Sequence, residues 1–324
     1  MSSAAYRPPR SRRRRPSLRW SALIAVVLVT LGGLAVATDA LGAGRLFDRA
    51  VARIDRIIAG PVPDRATVET VLVTPRPATM APSPTRTAAA APSATAGATG
   101  STAPTASLEL TPEPTPARVP VDVDIAADPA GIFASEVKDT WCSPAGVQIT
   151  LAFLGKADTS VAFQRELQSR VHEWESYSDS HNGDWGPAAM ALALDAYGAP
   201  GYEVHAYKTR QDALRDAASA IESTGSPVIL LAWRGAHTWV MTGFRADADP
   251  AVFPDATVAG AYIVDPWYPR VSSIWGPSDP PGTFQDNSEM VRNFLVWKRP
   301  EGHYPKRDGL FVAVVPTMKV SAGD

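Results

Sequence analysis

The chain has 324 residues, with 31 Lys plus Arg against 33 Asp plus Glu and a formal net charge of −2. That balance excludes the basic excess on which nucleic-acid binding relies, while the length allows about two domains. A single cysteine, Cys142, excludes both an intramolecular disulfide and a multi-thiolate zinc site.

Residues 1–20 are polar and basic, with Arg12 to Arg15 consecutive and Arg19 following. They read as a cytoplasmic segment. An uncharged apolar run from Ala22 to Ala37 comes next, and the first charge after it is Asp39. Basic residues ahead of such a run favour a cytoplasmic N-terminus and export of everything behind it. The run is near the lower limit of the roughly 17–25 residues that span a bilayer. With its flanking Gly and Ala, the segment 21–44 reads as a single-pass transmembrane signal anchor that leaves the C-terminal part extracytoplasmic. Ala35-Val36-Ala37 has the small-x-small form of a cleavage site, so the alternative is secretion after signal cleavage. Residues 45–59 alternate charge with Leu46, Phe47, Val51, Ile54, Ile57 and Ile58 and read as a juxtamembrane helix. From 61 to 118 Pro, Thr, Ala and Ser dominate. Such a tract cannot bury enough apolar surface to fold, and its prolines keep it extended, so 45–118 is read as a juxtamembrane helix followed by a disordered stalk.

At about Val119 the composition changes, and 119–324 is long enough for one sizeable core. Val121 to Ile125 alternates like an entering strand. Thr140 to Gly155 carries a helix signal: Ser143 to cap it, Pro144 in its first turn and Gly155 to stop it. Val147, Leu151 and Leu154 place one face of that helix inward. Residues 159–173 and 184–198 read as further helices, Tyr202 to Tyr207 as a strand, and Gln211 to Glu222 as a helix. Strands are then expected at Pro227–Trp233, His237–Phe244, Ala261–Val264, Phe294–Trp297 and Leu310–Val315. Helices first and a mostly antiparallel sheet after them is an α+β order.

The chemistry gathers at three positions. Cys142 sits at the start of a buried helix, where the positive end of the dipole favours a thiolate. A thiol is only partly ionised at neutral pH, so a nearby imidazole must take its proton and later protonate the leaving group. His237 opens a strand and can supply that imidazole. Asp265, at the end of the next strand, can fix the tautomer of the ring and favour its charged form. His172, His181, His205 and His303 lack metal-ligand spacing, so no metal and no cofactor is expected. Trp185, Trp239 and Trp267 read as core, with Trp267 also able to wall a cleft.

Three segments resemble papain-like cysteine peptidases of the bacteriocin-leader-processing type, the broad C thirty-nine-like group. They are Trp141-Cys142-Ser143-Pro144-Ala145, His237 to Phe244, and Tyr262-Ile263-Val264-Asp265-Pro266-Trp267. The resemblance implies a papain-like α+β fold with N-terminal helices on a mostly antiparallel sheet. It also implies Cys142 as nucleophile, His237 as general base and acid, Asp265 as the orienting residue, and a peptide or protein substrate. The sequence departs from the family pattern at three places, one being the long segment between His237 and Asp265, where Arg245 to Val258 reads as an inserted loop. Ser143 follows the nucleophile where the family has Gly. Glu136 occupies the position of the family's oxyanion-hole Gln, where a carboxylate would repel a developing oxyanion unless protonated or turned away. The readings that follow are a membrane-tethered thiol hydrolase acting on peptide or amide bonds, a catalytically impaired peptide- or envelope-binding module on the same fold, and a transferase using the same acyl-enzyme.

Overall fold

The computed structural model describes residues 26–34, 50, 54, 68–75, 117–180, 183–298 and 304–320. The chain divides into two compact units, Met1–Pro61 and Val62–Asp324. In the first, residues 26–34 are helical, and among the described residues no helix is long and apolar enough to cross a membrane. The remainder of the expected anchor, most of the juxtamembrane helix and most of the stalk lie outside the described residues, as do His181 and His303.

The second unit is built on one large sheet. Its strands are β1 (Thr70–Leu72), β2 (Val121–Asp124), β3 (Tyr202–Tyr207), β4 (Val228–Ala232), β5 (His237–Ala246), β6 (Val258–Val264), β9 (Thr283–Asp286) and β10 (Phe311–Pro316). A separate two-stranded hairpin is formed by β7 (Val271–Ser272) and β8 (Gly276–Pro277). The order across the sheet is β1-β3-β10-β4-β5-β6-β9, with β2 also pairing β5. Every pairing is antiparallel except β1 with β3.

Strands β4 and β10 are apolar at every position, and the packing explains why. In β4, Val228, Leu230 and Ala232 face one cluster while Ile229 and Leu231 face another. In β10, Phe311, Ala313 and Val315 alternate in the same way with Val312 and Val314. Side chains on a strand alternate between faces, so a strand covered on both sides needs an unbroken apolar run. The N-terminal helices α1 (Cys142–Phe153), α2 (Val161–Ser169) and α3 (Pro187–Ala196) contribute Val147, Leu151, Leu167 and Ala189 to one cluster. The helix α4 (Arg210–Thr224) contributes Ala213, Leu214, Ala217 and Ile221 to the other.

Local signals place these elements. Thr209 caps α4 by accepting from the Asp212 N–H at 3.1 Å, and Gly225 stops it with φ 67°. Ser160 caps α2 by accepting from the Phe163 N–H at 3.1 Å. Two expectations need correction. Ser143 is not the cap of α1: the helix begins at Cys142, and the Ser143 hydroxyl instead shares a 3.3 Å hydrogen bond with Thr238 Oγ1 on β5. Phe294–Trp297 is not a strand. The Asp286 carboxylate accepts from the N–H groups of Ser288 and Glu289 and so starts a short helix, α5 (Asn287–Asn293), which ends at Phe294. Trp297 is still held on the domain, its N–H donating to the Leu310 carbonyl at 2.7 Å.

One stretch of the expected stalk also differs. Residues 70–72 pair with Val204 to Ala206 as the edge strand β1, and the Val73 N–H donates to the Ala206 carbonyl at 2.9 Å.

Candidate active site

The helix α1 runs across β5 close enough that Gly146 has no room for a side chain: an added Cβ would collide with the Thr238 methyl. This close approach, with the Ser143–Thr238 bond, sets the first turn of α1 beside the start of β5. Cys142 is the first residue of the helix and is half-buried. Its Sγ lies 3.9 Å from the Ala236 carbonyl oxygen and 4.0 Å from Ser143 Oγ.

His237 opens β5 and is buried, at 2 % exposure. Its Nε2 lies 2.7 Å from Asp265 Oδ1, just beyond the end of β6. The same carboxylate oxygen accepts the Trp267 N–H at 2.8 Å, which fixes its direction. With Nε2 committed to Asp265, Nδ1 is the ring nitrogen left for the thiol. Trp233 stacks on the imidazole at 4.0 Å between centroids and 20° between planes. Trp275 stacks on Trp233 in turn at 5.8 Å and 7°, and Trp267 meets the imidazole edge-on at 6.3 Å. The Trp233 backbone has φ 50° and Arg234 has φ 63°, with Gly235 at 83°. Positive φ is costly at Trp233 and Arg234 unless the surroundings fix them, while Gly235 adopts it freely. Here they turn the chain tightly between β4 and β5 and bring Trp233 over the ring.

The electrostatics follow from these contacts. Burial works against a charged His237 ring, but the charge and hydrogen bond of Asp265, together with Cys142, outweigh it and raise the pKa to about 10. Burial likewise works to raise the Cys142 thiol. The hydrogen-bonding and charge influence of His237, with the hydroxyls of Thr238 and Ser143, more than offsets it, and the thiol falls below its ordinary value. A lowered thiol facing a raised imidazole is shifted toward a thiolate–imidazolium pair.

Glu136 lies on the extended segment that leads into α1. Its backbone N–H donates to the Pro266 carbonyl at 3.0 Å, beside Asp265. Its neighbours are clamped by a relay of buried glutamines. The Val137 N–H donates to Gln164 Oε1 at 2.7 Å, and Gln164 Nε2 donates to the Ser135 carbonyl at 3.2 Å and to Gln148 Oε1 at 2.9 Å. Gln148 Nε2 then donates to the carbonyls of Asp158 and Ser160 at 2.9 Å each. The Glu136 carboxyl is buried. Arg270 Nη2 donates to the Glu136 main-chain carbonyl at 2.7 Å, and Arg270 Nη1 to Asp139 Oδ1 at 2.9 Å.

All four residues singled out from sequence, Cys142, His237, Asp265 and Glu136, therefore meet at one end of the sheet. Sequence reasoning missed Trp233, Trp275, Gln148, Gln164 and Arg270. Gln148 carried a signal, being an amide in an otherwise apolar stretch of α1. The role of Trp233 depends on a backbone turn that no sequence pattern announces.

Comparison with known proteins bears on this arrangement. A profile described as the Peptidase_C39 like family matches residues 125–290, just over half of the chain. The chain belongs to the Peptidase_C39-like family. In this Peptidase_C39-like chain the matched span covers Cys142, His237, Asp265 and Glu136, and the α+β order expected for the family is the one observed. Among solved structures, it is similar to one described as a double-glycine-motif protease from an AMS/PCAT transporter in complex with the leader peptide. That similarity is at 18 % identity and TM-score 0.28, over 57 % of this chain and 91 % of the other. No curated protein matches it.

Proposed function

We propose that this Peptidase_C39-like chain is a hydrolase of peptide or amide bonds using Cys142 as nucleophile, His237 as general base and acid, and Asp265 as the group that orients the ring. The observation that carries this reading is the buried 2.7 Å His237–Asp265 contact beside a thiol at the first residue of a helix. Sγ of the thiolate attacks the carbonyl carbon, and the tetrahedral adduct collapses with cleavage of the C–N bond. The proton on His237 Nδ1 passes to the leaving amine, and a thioester remains on Cys142. Water then attacks the thioester while His237 takes its proton, and collapse of this second adduct expels the Cys142 thiolate and restores the starting pair as the acid product leaves. Asp265 holds Nε2 throughout, so Nδ1 stays directed at the reaction. The helix α1 aids the thiolate through the positive end of its dipole.

The same proposal places the hydrolase outside the cytoplasm on a single-pass N-terminal anchor. The arginine cluster Arg12 to Arg15 ahead of the uncharged run Ala22–Ala37 supports that placement.

The test is direct. The full chain is incubated with a mixed peptide pool, and newly formed N-termini are read by mass spectrometry. Termini that disappear with Cys142→Ala are expected. The buried acid at Glu136 is the feature that favours a binding module instead. That reading wins if the pool is bound and no cleavage depends on Cys142.

A further inference from the structure

The Glu136 side chain is fully buried, and its Oε2 has no hydrogen-bond partner among the described residues. A buried carboxyl oxygen without a partner loses its hydration and gains nothing in return. The neighbouring cation does not resolve the problem. Arg270 Nη1 reaches Glu136 Oε1 only at 3.4 Å, and its shorter contacts go to the Asp139 carboxylate and to the Glu136 main-chain carbonyl. The charges facing Glu136 are the Cys142 thiolate, the His237 imidazolium, the Asp265 carboxylate and the Arg270 guanidinium, with Asp139 sharing the last. The catalytic group alone already carries one net negative charge when its thiol is ionised. A second carboxylate in the same dry site would face both Cys142 and Asp265.

We propose that Glu136 works as a neutral carboxylic acid whose Oε2–H donates a hydrogen bond to the oxyanion formed on the substrate carbonyl. The assignment rests on the triad reading above. It gives the orphan oxygen a partner that exists only when substrate reacts, which is the condition for an interaction that speeds the chemical step. A carboxylic acid kept neutral in an apolar setting is a known physical solution for such a donor. Burial first, and the nearby Cys142 charge second, push the Glu136 acid up to about 9 despite His237 and Arg270, so the proton is present at neutral pH. Glu136 is held for this task by the Pro266 carbonyl on one side and by Gln164 at its neighbours on the other. The second donor is the Cys142 backbone N–H, which as the first of a helix has no intrahelical partner.

The experiment uses two probes on the full chain. p-Nitrophenyl acetate passes through an oxyanion, and iodoacetamide alkylates the same thiol without one. Glu136→Ala is expected to lower the Cys142-dependent acylation rate about 100-fold or more, with iodoacetamide alkylation changed by less than about threefold. Glu136→Gln replaces the O–H by an amide N–H, so its acylation is expected to stay within about fivefold of the parent at pH 7. The parent alone should lose acylation through an extra ionisation near pH 9, a limb that Glu136→Gln lacks. Equal acylation in parent and Glu136→Ala overturns the proposal. So does a more than tenfold gain with Glu136→Gln, because that is the response of an ionised, repelling carboxylate. A Glu136→Gln rate as low as that of Glu136→Ala overturns it too. Ester hydrolysis that persists in Cys142→Ala, or an iodoacetamide rate no faster than that of a free thiol, sinks the triad itself.

Discussion

At the scale of residues, the site is a balance between burial and pairing. His237 is nearly inaccessible, which by itself would keep its ring neutral, yet the Asp265 carboxylate at 2.7 Å holds it charged up to about pH 10. The charged ring in turn lowers the thiol. Alkylation of Cys142 by iodoacetamide is therefore expected to persist well below the ordinary thiol pKa of about 8.5, with its lower limb set by the depressed thiol. His237→Ala removes the partner and leaves burial, which raises the thiol. At pH 6 a thiol of ordinary pKa is ionised to only about 0.3 %, so the variant should alkylate at least tenfold more slowly there while approaching the parent above pH 9. A pH profile that is the same in both would separate the thiol from the imidazole. The thiol and the ring could be singled out in the sequence because Cys and His are rare in this chain, and the acid because it follows them in chain order at a strand end. Trp233 was not, because what places it on the ring is a run of positive φ angles at Trp233, Arg234 and Gly235.

At the scale of elements, helix ends carry much of the precision. The helix α3 begins at Pro187 without a side-chain cap from its own N-cap residue, Gly186. Asp179 supplies it from the stretch just ahead of the helix, accepting the Ala188 N–H at 3.2 Å and the Ala189 N–H at 3.0 Å. Gly186 is needed because a Cβ there would run into that carboxylate. The Asp179 charge is met by Arg307 Nη1 at 2.5 Å, whose guanidinium is itself buried against the rings of Tyr304 and Trp297. Breaking a buried pair by removing one partner costs about 3–5 kcal/mol. Asp179→Ala should lose that much in urea unfolding, together with the two capping bonds. Adding Arg307→Met should recover part of it, because the second change removes the stranded cation, and the double variant should be less destabilised than the sum. Strict additivity would mean the two side chains act separately. The helix itself was readable from Pro187 and the Gly198 stop, but the pairing that holds its cap was not, since Asp179 and Arg307 lie 128 residues apart.

At the scale of the molecule, the sheet is covered by helices on both faces, and this decides what the sequence could say about boundaries. Strands β4 and β10 announce themselves by unbroken apolar runs. The edge strand β1 does not, because Thr70-Val71-Leu72-Val73 sits among prolines and threonines whose average marks the stretch as stalk. Its pairing is parallel to β3, and its flanking residues Val68 and Val73 pack against the two opposite core clusters, clamping the sheet edge from both sides. Each is only partly buried, so a contribution of about 1–3 kcal/mol follows from the ~1.5–3 kcal/mol gained by burying a whole valine. A chain starting at residue 119, the boundary suggested by composition, should therefore unfold several degrees below one starting at residue 62. In a domain of this size each kcal/mol moves the Tm by about 2–4 °C. The site lies on α1, β5 and the end of β6, whereas β1 is at the far edge beyond β3, β10 and β4. Iodoacetamide alkylation of Cys142 at 25 °C should accordingly be the same in both chains. Equal Tm values would show that β1 contributes nothing to the unit, and slower alkylation in the shorter chain would show that the edge reaches the site through the sheet.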